Sequence, residues 1–273
     1  MRISNKKTSY TFRVKWLLII LVQVEQREKS MSSLQTVTSN IVRGTANLQP
    51  EATGLTARLA IDDRTRADAY AVRHESYLSG GYIDPQPGGL FSDADDLKPN
   101  NRCVVVYKHA RPVASVRLCT LDYDPAAIGW DEIPASRIFS EEVAALAANV
   151  PHNRPARLTE INRLVRHPDF ATDFQLVFVL FRLVGFFVAE DKSDMTLSCV
   201  RRNHTPFYKR MHFEYVAGPR RYAGVKFETN LMACHNDHYA AVAKDIPFVG
   251  GATGPQSTYH GLLHGETVDV FAA

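Results

Sequence analysis

No apolar run in this chain of 273 residues is long enough to cross a bilayer. The strongest block, Leu176 to Ala189, spans fourteen residues and carries Arg182 and Gly185, whereas a membrane helix needs about 20 apolar residues. It reads as a buried central helix. Trp16 to Val22 is shorter still, and no small-residue cleavage site follows it, so a secretory leader is not indicated. Cysteine is scarce: Cys103, Cys119, Cys199 and Cys234 include no C-x-x-C pair, which argues against a disulfide framework and for reduced core residues of a cytoplasmic protein. Charge of one sign is not in excess either. A net charge of +3 is too small for a general nucleic-acid binder, and it leaves recognition of any acidic partner to local clusters. No internal repeat is found, which removes the solenoid architectures.

What is present is 45% apolar and 22% charged residues, the balance of an ordinary globular chain with a sizeable core. Residues 1–56 read as an extension and loose lead-in, with Met31 the more natural start and residues 1–30 not native; residues 57–249 read as one domain and residues 250–273 as a tail. Within the domain, Arg58–Ile61 is a short strand. Asp62 or Asp63 caps a helix with the stripe Ala67, Tyr70, Ala71, His74, Tyr77 and Leu78, which ends at Gly80-Gly81. A Pro/Gly/Asp-rich loop, Tyr82–Asn101, leads to a hairpin of Arg102–Lys108 and Pro112–Leu121. A helix is expected over Ser136–Asn149, the central helix over about 171–190, a strand over Met195–Val200, a helix over Thr205–Met211 and a last strand over Val225–Cys234. A hairpin followed by helix-separated strands implies an α/β fold, a mixed central sheet with helices on both faces.

The segment Arg157–Pro168, R-L-T-E-I-N-R-L-V-R-H-P, holds the sharpest chemical signal. Leu158, Ile161, Leu164 and Val165 make it a mostly apolar strand, so Glu160 and Arg163 occupy positions where desolvation is costly unless they pair or serve chemistry. A buried structural ion pair is the alternative.

The element order resembles the GNAT acyltransferase superfamily, and the stretch Asn203–Phe213, N-H-T-P-F-Y-K-R-M-H-F, is similar to its second motif, with His212 standing for the usual glycine. Three further pieces, F-S-D-A-D-D at 91–96, V-A-S-V-R-L at 113–118 and the glutamate-arginine strand, resemble the autoinducer (N-acyl-homoserine-lactone) synthases. The wording R-H-E-S-Y-L-S-G-G-Y-I-D at 73–84 resembles the related long-chain N-acyl amino acid synthases. The resemblance covers roughly residues 57–235 and rests on the order of individually weak motifs. It implies that Tyr208 protonates a departing thiolate, packing as a plain helix aromatic being the alternative. It also implies a main-chain N–H for the thioester oxygen where two central strands splay.

Acetyl-CoA enzymes of the superfamily carry a glycine-rich Q/R-x-x-G-x-G/A loop after the fourth strand, whose N–H groups hold the CoA pyrophosphate. Here V-R-H-P-D-F-A-T-D has no glycine. With no cofactor of its own, the chain is expected to take its acyl group from the phosphopantetheine of acyl carrier protein. Such carriers are acidic, and Arg201, Arg202, Lys209 and Arg210, with Arg220 and Arg221, are the candidate docking residues. The acceptor is a free amino acid, tyrosine among the candidates, whose ammonium must lose a proton before it attacks. Glu160 is the candidate base. Arg117 and Arg163 are candidates for holding a carboxylate or the acidic loop, and Asp93 and Asp96 for pairing with them or drawing in the ammonium. Phenylalanines of the central helix, with Phe207, Phe213 and Phe227, offer an acyl slot, where ten methylenes give ~8 kcal/mol gross at ~0.8 kcal/mol each. Peripheral membrane contact through the lipid product is a further expectation.

Two other functions stay open at this stage: a homoserine-lactone synthase using S-adenosylmethionine, and a non-catalytic acyl-carrier or lipid-binding module. His235-x-x-His238, on an expected helix, lacks a third ligand nearby, so no metal is assigned. His260 and His264 read as surface.

Overall fold

The computed structural model describes residues 54–124, 132–150, 154–222, 224–245, 249 and 257–271. Most of the lead-in read over 1–56, including the expected start at Met31, lies outside them.

Eight strands form one sheet in the order β6-β7-β5-β4-β3-β2-β1-β8. In chain order they are β1 (Leu55–Leu59), β2 (Asn101–Lys108), β3 (Arg111–Tyr123), β4 (Ala156–Arg166), β5 (Met195–Arg201), β6 (Glu214–Arg221), β7 (Glu228–His235) and β8 (Val268–Asp269). The helices are α1 (Asp63–Ser79), α2 (Pro134–Ile138), α3 (Ser140–Ala148), α4 (Gln175–Glu190), α5 (Thr205–Arg210), α6 (Tyr239–Asp245) and α7 (His260–Leu263). Pairing is antiparallel except between β4 and β5. The sheet is therefore mixed, as expected.

Local chemistry accounts for most boundaries. Asp62 caps α1 by accepting from the Thr65 N–H at 2.9 Å. Gly81, at φ +68°, ends it with the Gly81 and Tyr82 N–H groups donating to the Leu78 and Tyr77 carbonyls, a Schellman closure. The β2–β3 turn has His109 and Ala110 both at positive φ, the two-residue geometry that matches strand twist.

Several expectations are corrected. The buried stripe of α1 is Thr65, Ala69, Val72, Arg73 and His74, rotated from the one read, because Arg73 finds a carboxylate inside and can be buried. The helix over 136–149 is two, broken at Phe139 (φ −124°, ψ 46°). The central helix starts at Gln175, after a 3-10 turn at Pro168–Phe170. An unread strand, β6, pairs with β7, which begins at Glu228 rather than 225. Residues 257–271, read as a tail, carry α7 and β8, and they bury Tyr259, Leu262 and Val270. His235 ends β7 and His238 lies in a 3-10 turn, not on a helix, and no metal-binding cluster exists among the described residues.

The core divides between the two faces of the sheet. On one, Leu121, Leu158, Met195 and Leu197 pack against Ile133, Ala135, Phe139 and Val143 of the α2–α3 region. On the other lies α4, with eleven buried residues. No described helix is long and apolar enough to cross a membrane.

Candidate active site

Strands β4 and β5 pair only over Leu158–Ile161 with Met195–Ser198. Beyond that point β4 runs on to Arg166 and β5 to Arg201 without pairing to each other, so the sheet parts at its centre. Glu160 and Tyr208 approach this point from opposite faces.

Glu160 is 0% exposed. Its Oε2 accepts from the Ala135 N–H at 2.7 Å and its Oε1 from the Tyr222 hydroxyl at 2.9 Å. Burial pushes its carboxyl above the ordinary range, although these donors and the charge of Arg117 pull the other way. A carboxylate kept dry and held by neutral donors has the protonation behaviour of a general base.

Arg163 does not pair with Glu160. It has φ +50° inside β4, where the register against β3 slips by one residue between Ser115 and Arg117. In a regular strand residues 160 and 163 face opposite sides. The bulge re-aims Arg163 to the Glu160 side, at a local backbone cost of about 1–2 kcal/mol. There Arg163 donates to Asp93 Oδ2 at 2.6 Å and stacks over the rings of Phe91 and Tyr77 at 4.9 and 5.7 Å.

The acidic loop and the arginines form one buried network. Arg117, 1% exposed, donates from NH1 and NH2 to Asp93 at 2.5 and 3.2 Å, from NH1 to Asp96 at 2.9 Å and from Nε to Asn162 at 2.7 Å. Arg73, fully buried, meets Asp96 at 2.7 Å. Burial alone would raise the Asp93 carboxyl, but the hydrogen bonds and charges of Arg117 and Arg163 outweigh it and hold that carboxyl well below the usual range. Asp93 and Asp96 also form the capping box of the 3-10 turn Ala94–Leu97. Arg117 is thus committed to the chain's own groups, whereas Arg163 makes one such contact and stays 12% exposed.

On the opposite face Tyr208 is buried among Phe181, Phe207 and Phe213, with ring centroids 5.2–5.8 Å away. Its hydroxyl lies near Ser198, whose own hydroxyl donates to the Ile161 carbonyl at 3.0 Å. Burial pushes the phenol up to about 12, so it keeps a proton to donate near neutral pH. His212, with φ +60°, adopts the left-handed conformation for which glycine is best suited. Beside Tyr208 an apolar cavity is lined by Ile161, Phe181, Val184, Met211, Phe213 and Val242. Of the phenylalanines assigned to the slot, Phe213 lines the cavity and Phe207 packs against Phe181, whereas Phe227 sits with Tyr77 and Tyr82.

Arg202, Lys209 and Arg210 are exposed around the start and end of α5. Arg201, assigned to docking with them, instead turns inward: it stacks over Tyr82 at 4.3 Å and bonds its hydroxyl and His204.

Sequence reasoning missed Arg73, Tyr222 and the Ala135 N–H. Arg73 left a faint signal, an arginine among the apolar positions of α1; the other two are brought in by long-range folding alone.

A mixed sheet parted at its one parallel pair, with a buried acid and a buried phenol at the parting, defines a GNAT-like acyltransferase. The family model described as "N-acyl amino acid synthase FeeM" matches residues 68–235, and the chain belongs to that family. The solved structure of FeeM, an N-acyl amino acid synthase from uncultured soil microbes, is similar with a TM-score of 0.56 and 17% identity, covering 70% of this chain and 95% of that one. The acyl-homoserine-lactone synthase LasI is similar at TM-score 0.48 and 9% identity, over 67% of this chain and 90% of its own. The CoA-dependent acyl-homoserine lactone synthase BjaI gives 0.48 and 14%, over 75% and 88%. No curated protein sequence matches the chain.

Proposed function

We propose that the chain transfers a long-chain fatty acyl group from acyl carrier protein to the α-amine of a free amino acid. The observation that carries this reading is the dry Glu160 at the edge of the β4/β5 parting, one residue before Ile161, which lines the apolar cavity. Glu160, directly or through a water, takes the proton of the ammonium. The amine attacks the thioester carbonyl, whose oxygen develops negative charge at the unpaired main chain of the parting. The C–S bond breaks, the departing thiolate takes the Tyr208 proton, and the second surplus proton of the amide nitrogen passes through solvent to the Tyr208 phenolate, which restores the phenol. Arg163 holds the acceptor's carboxylate, and the aromatic rings around it favour an aromatic acceptor, tyrosine among them. The acyl chain lies in the Phe181–Phe213 cavity.

Two features support a carrier-protein donor over CoA. Ahead of α4, Asp173 Oδ1 accepts the Gln175 N–H at 3.1 Å, which sets a negative charge where a pyrophosphate would need free donors. Exposed Arg202, in the turn ahead of α5, and exposed Lys209 and Arg210, on the helix itself, flank Tyr208 and complement an acidic carrier. The test is to incubate the purified protein with long-chain acyl carrier protein or the matching acyl-CoA and a mixture of amino acids, then analyse products by mass spectrometry. An N-acyl amino acid formed faster from the carrier is expected. Acyl-homoserine lactone with S-adenosylmethionine present, or no product, would overturn the reading.

A further inference from the structure

Two donors hold the Glu160 carboxylate. One is the backbone N–H of Ala135; the other arrives on a side chain 62 positions beyond Glu160, the hydroxyl of Tyr222. Tyr222 directly follows β6, and it packs against the apolar cluster formed by Ile83, Phe91 and Val225. The segment is pinned in place by the Lys226 N–H donating to the Tyr82 carbonyl at 2.9 Å and by the Lys226–Asp84 ion pair at 2.5 Å. The same aromatic group lies under Arg163, which stacks on Phe91. Tyr222 therefore links the acid to the apolar cluster whose Phe91 lies under the arginine.

Other ionisable groups face Glu160 as well: Arg117 and Cys119 from β3, Cys199 from β5 and Arg137 from α2. Their bonding is directed elsewhere. Arg117 donates to Asp93, Asp96 and Asn162, and Arg137 to Asp95. The Asn162 amide, also within reach, is divided between Arg117 and Cys119. Cys199 lies near the Tyr222 hydroxyl. A phenol has one proton and a carboxylate is the stronger acceptor, so the O–H goes to Glu160.

We propose that Tyr222 is a positioning residue for acyl transfer: its hydroxyl, working opposite the Ala135 N–H, locks the Glu160 carboxylate in one orientation and shares its negative charge. The inference rests on Glu160 being the base. Tyr222 itself neither gains nor loses a proton; when Glu160 takes one from the ammonium, the phenol stays intact and its bond to the now neutral carboxyl weakens. Burial and the neighbouring carboxylate raise the phenol well above its usual range, consistent with a group that only donates.

The test is the pH dependence of kcat/KM for a long-chain acyl thioester and the amino acid that the wild-type protein accepts. In Tyr222→Phe the charged base loses a donor, so the acid limb should move up by about one pH unit, and the high-pH plateau should fall because the carboxylate loses its fixed orientation. Replacing Tyr222 by 3,5-difluorotyrosine, which strengthens the donor and preserves the ring, should move the limb the opposite way. This second variant also covers the case of a poorly folded Tyr222→Phe. An acid limb unmoved in both, with Glu160→Gln inactive, would overturn the Tyr222 inference alone. A fully active Glu160→Gln would instead remove the base assignment beneath it.

Discussion

Replacing Arg117 by Met keeps most of the side-chain volume and removes the guanidinium at the centre of the buried network. Arg117 and Asp96 are each 1% exposed, and Asp93 is 28% exposed, so the lost contacts are little screened by solvent. Removing one partner of a buried pair costs about 3–5 kcal/mol. Here each carboxylate keeps one arginine, Asp96 the Arg73 side chain and Asp93 the Arg163 side chain, which places the loss near the lower end, about 3 kcal/mol. For a domain of this size that corresponds to a fall in Tm of about 6–12 °C. Urea and thermal unfolding at pH 7 measure it. The pH dependence supplies a second check. The Asp93 carboxyl lies below its usual range when folded, so the stability it contributes is present above the ordinary carboxylate pKa of about 4 and is lost as pH falls through the folded value. The unfolded chains titrate alike, so the gap between wild type and variant should narrow as pH falls below the variant's folded Asp93 value, itself under about 4 because Arg163 remains. A loss under about 1 kcal/mol at pH 7 would refute the network as the support of the acidic loop.

Arg163→Ala removes the Asp93 contact and the stacking on Phe91 and Tyr77 and should cost about 1–3 kcal/mol of stability while raising the amino-acid KM at least tenfold; unchanged kinetics would count against carboxylate binding. Glu160→Gln should lower kcat by about 10²–10⁴. Because the Glu160 carboxyl is raised in the folded state, its ionisation destabilises the fold as pH rises from its unfolded value through its folded one. The Gln variant should accordingly melt no lower than wild type at pH 8, which calorimetry can read. Tyr208→Phe should retain the fold, since the ring contacts remain, and lose about 10- to 100-fold in kcat; a full rate would leave Tyr208 a packing residue.

Much of the fold was legible because periodicity and turn chemistry act locally. Asp62, Gly80-Gly81 and the β2–β3 hairpin stand within a residue or two of where the pattern placed them, and the apolar block of α4 is buried as its composition demands. What failed, failed for non-local reasons. The stripe of α1 turned because Asp96, over twenty residues on, neutralises Arg73. Strand β6 was unread because it is mostly exposed and lacks the apolar alternation of a buried strand. The C-terminal stretch finds its strand partner only in β1, some two hundred residues back.

The candidate site divides in the same way. An acid and an arginine on an apolar strand signal expensive burial by themselves, since water cannot be replaced cheaply around either. Their partnership was not legible: period-2 geometry sets residues 160 and 163 on opposite faces, and a one-residue bulge puts them on the same face without pairing them. Residue types and their spacing along the chain determined that this protein has a mixed sheet, a buried helix, and a strand with two ionisable groups inside. Which carboxylate meets which arginine, and which hydroxyl holds the base, was decided only by the tertiary structure. Hydrogen bonds act over about 3 Å, and only folding brings Ala135, Glu160 and Tyr222 within that distance of one another.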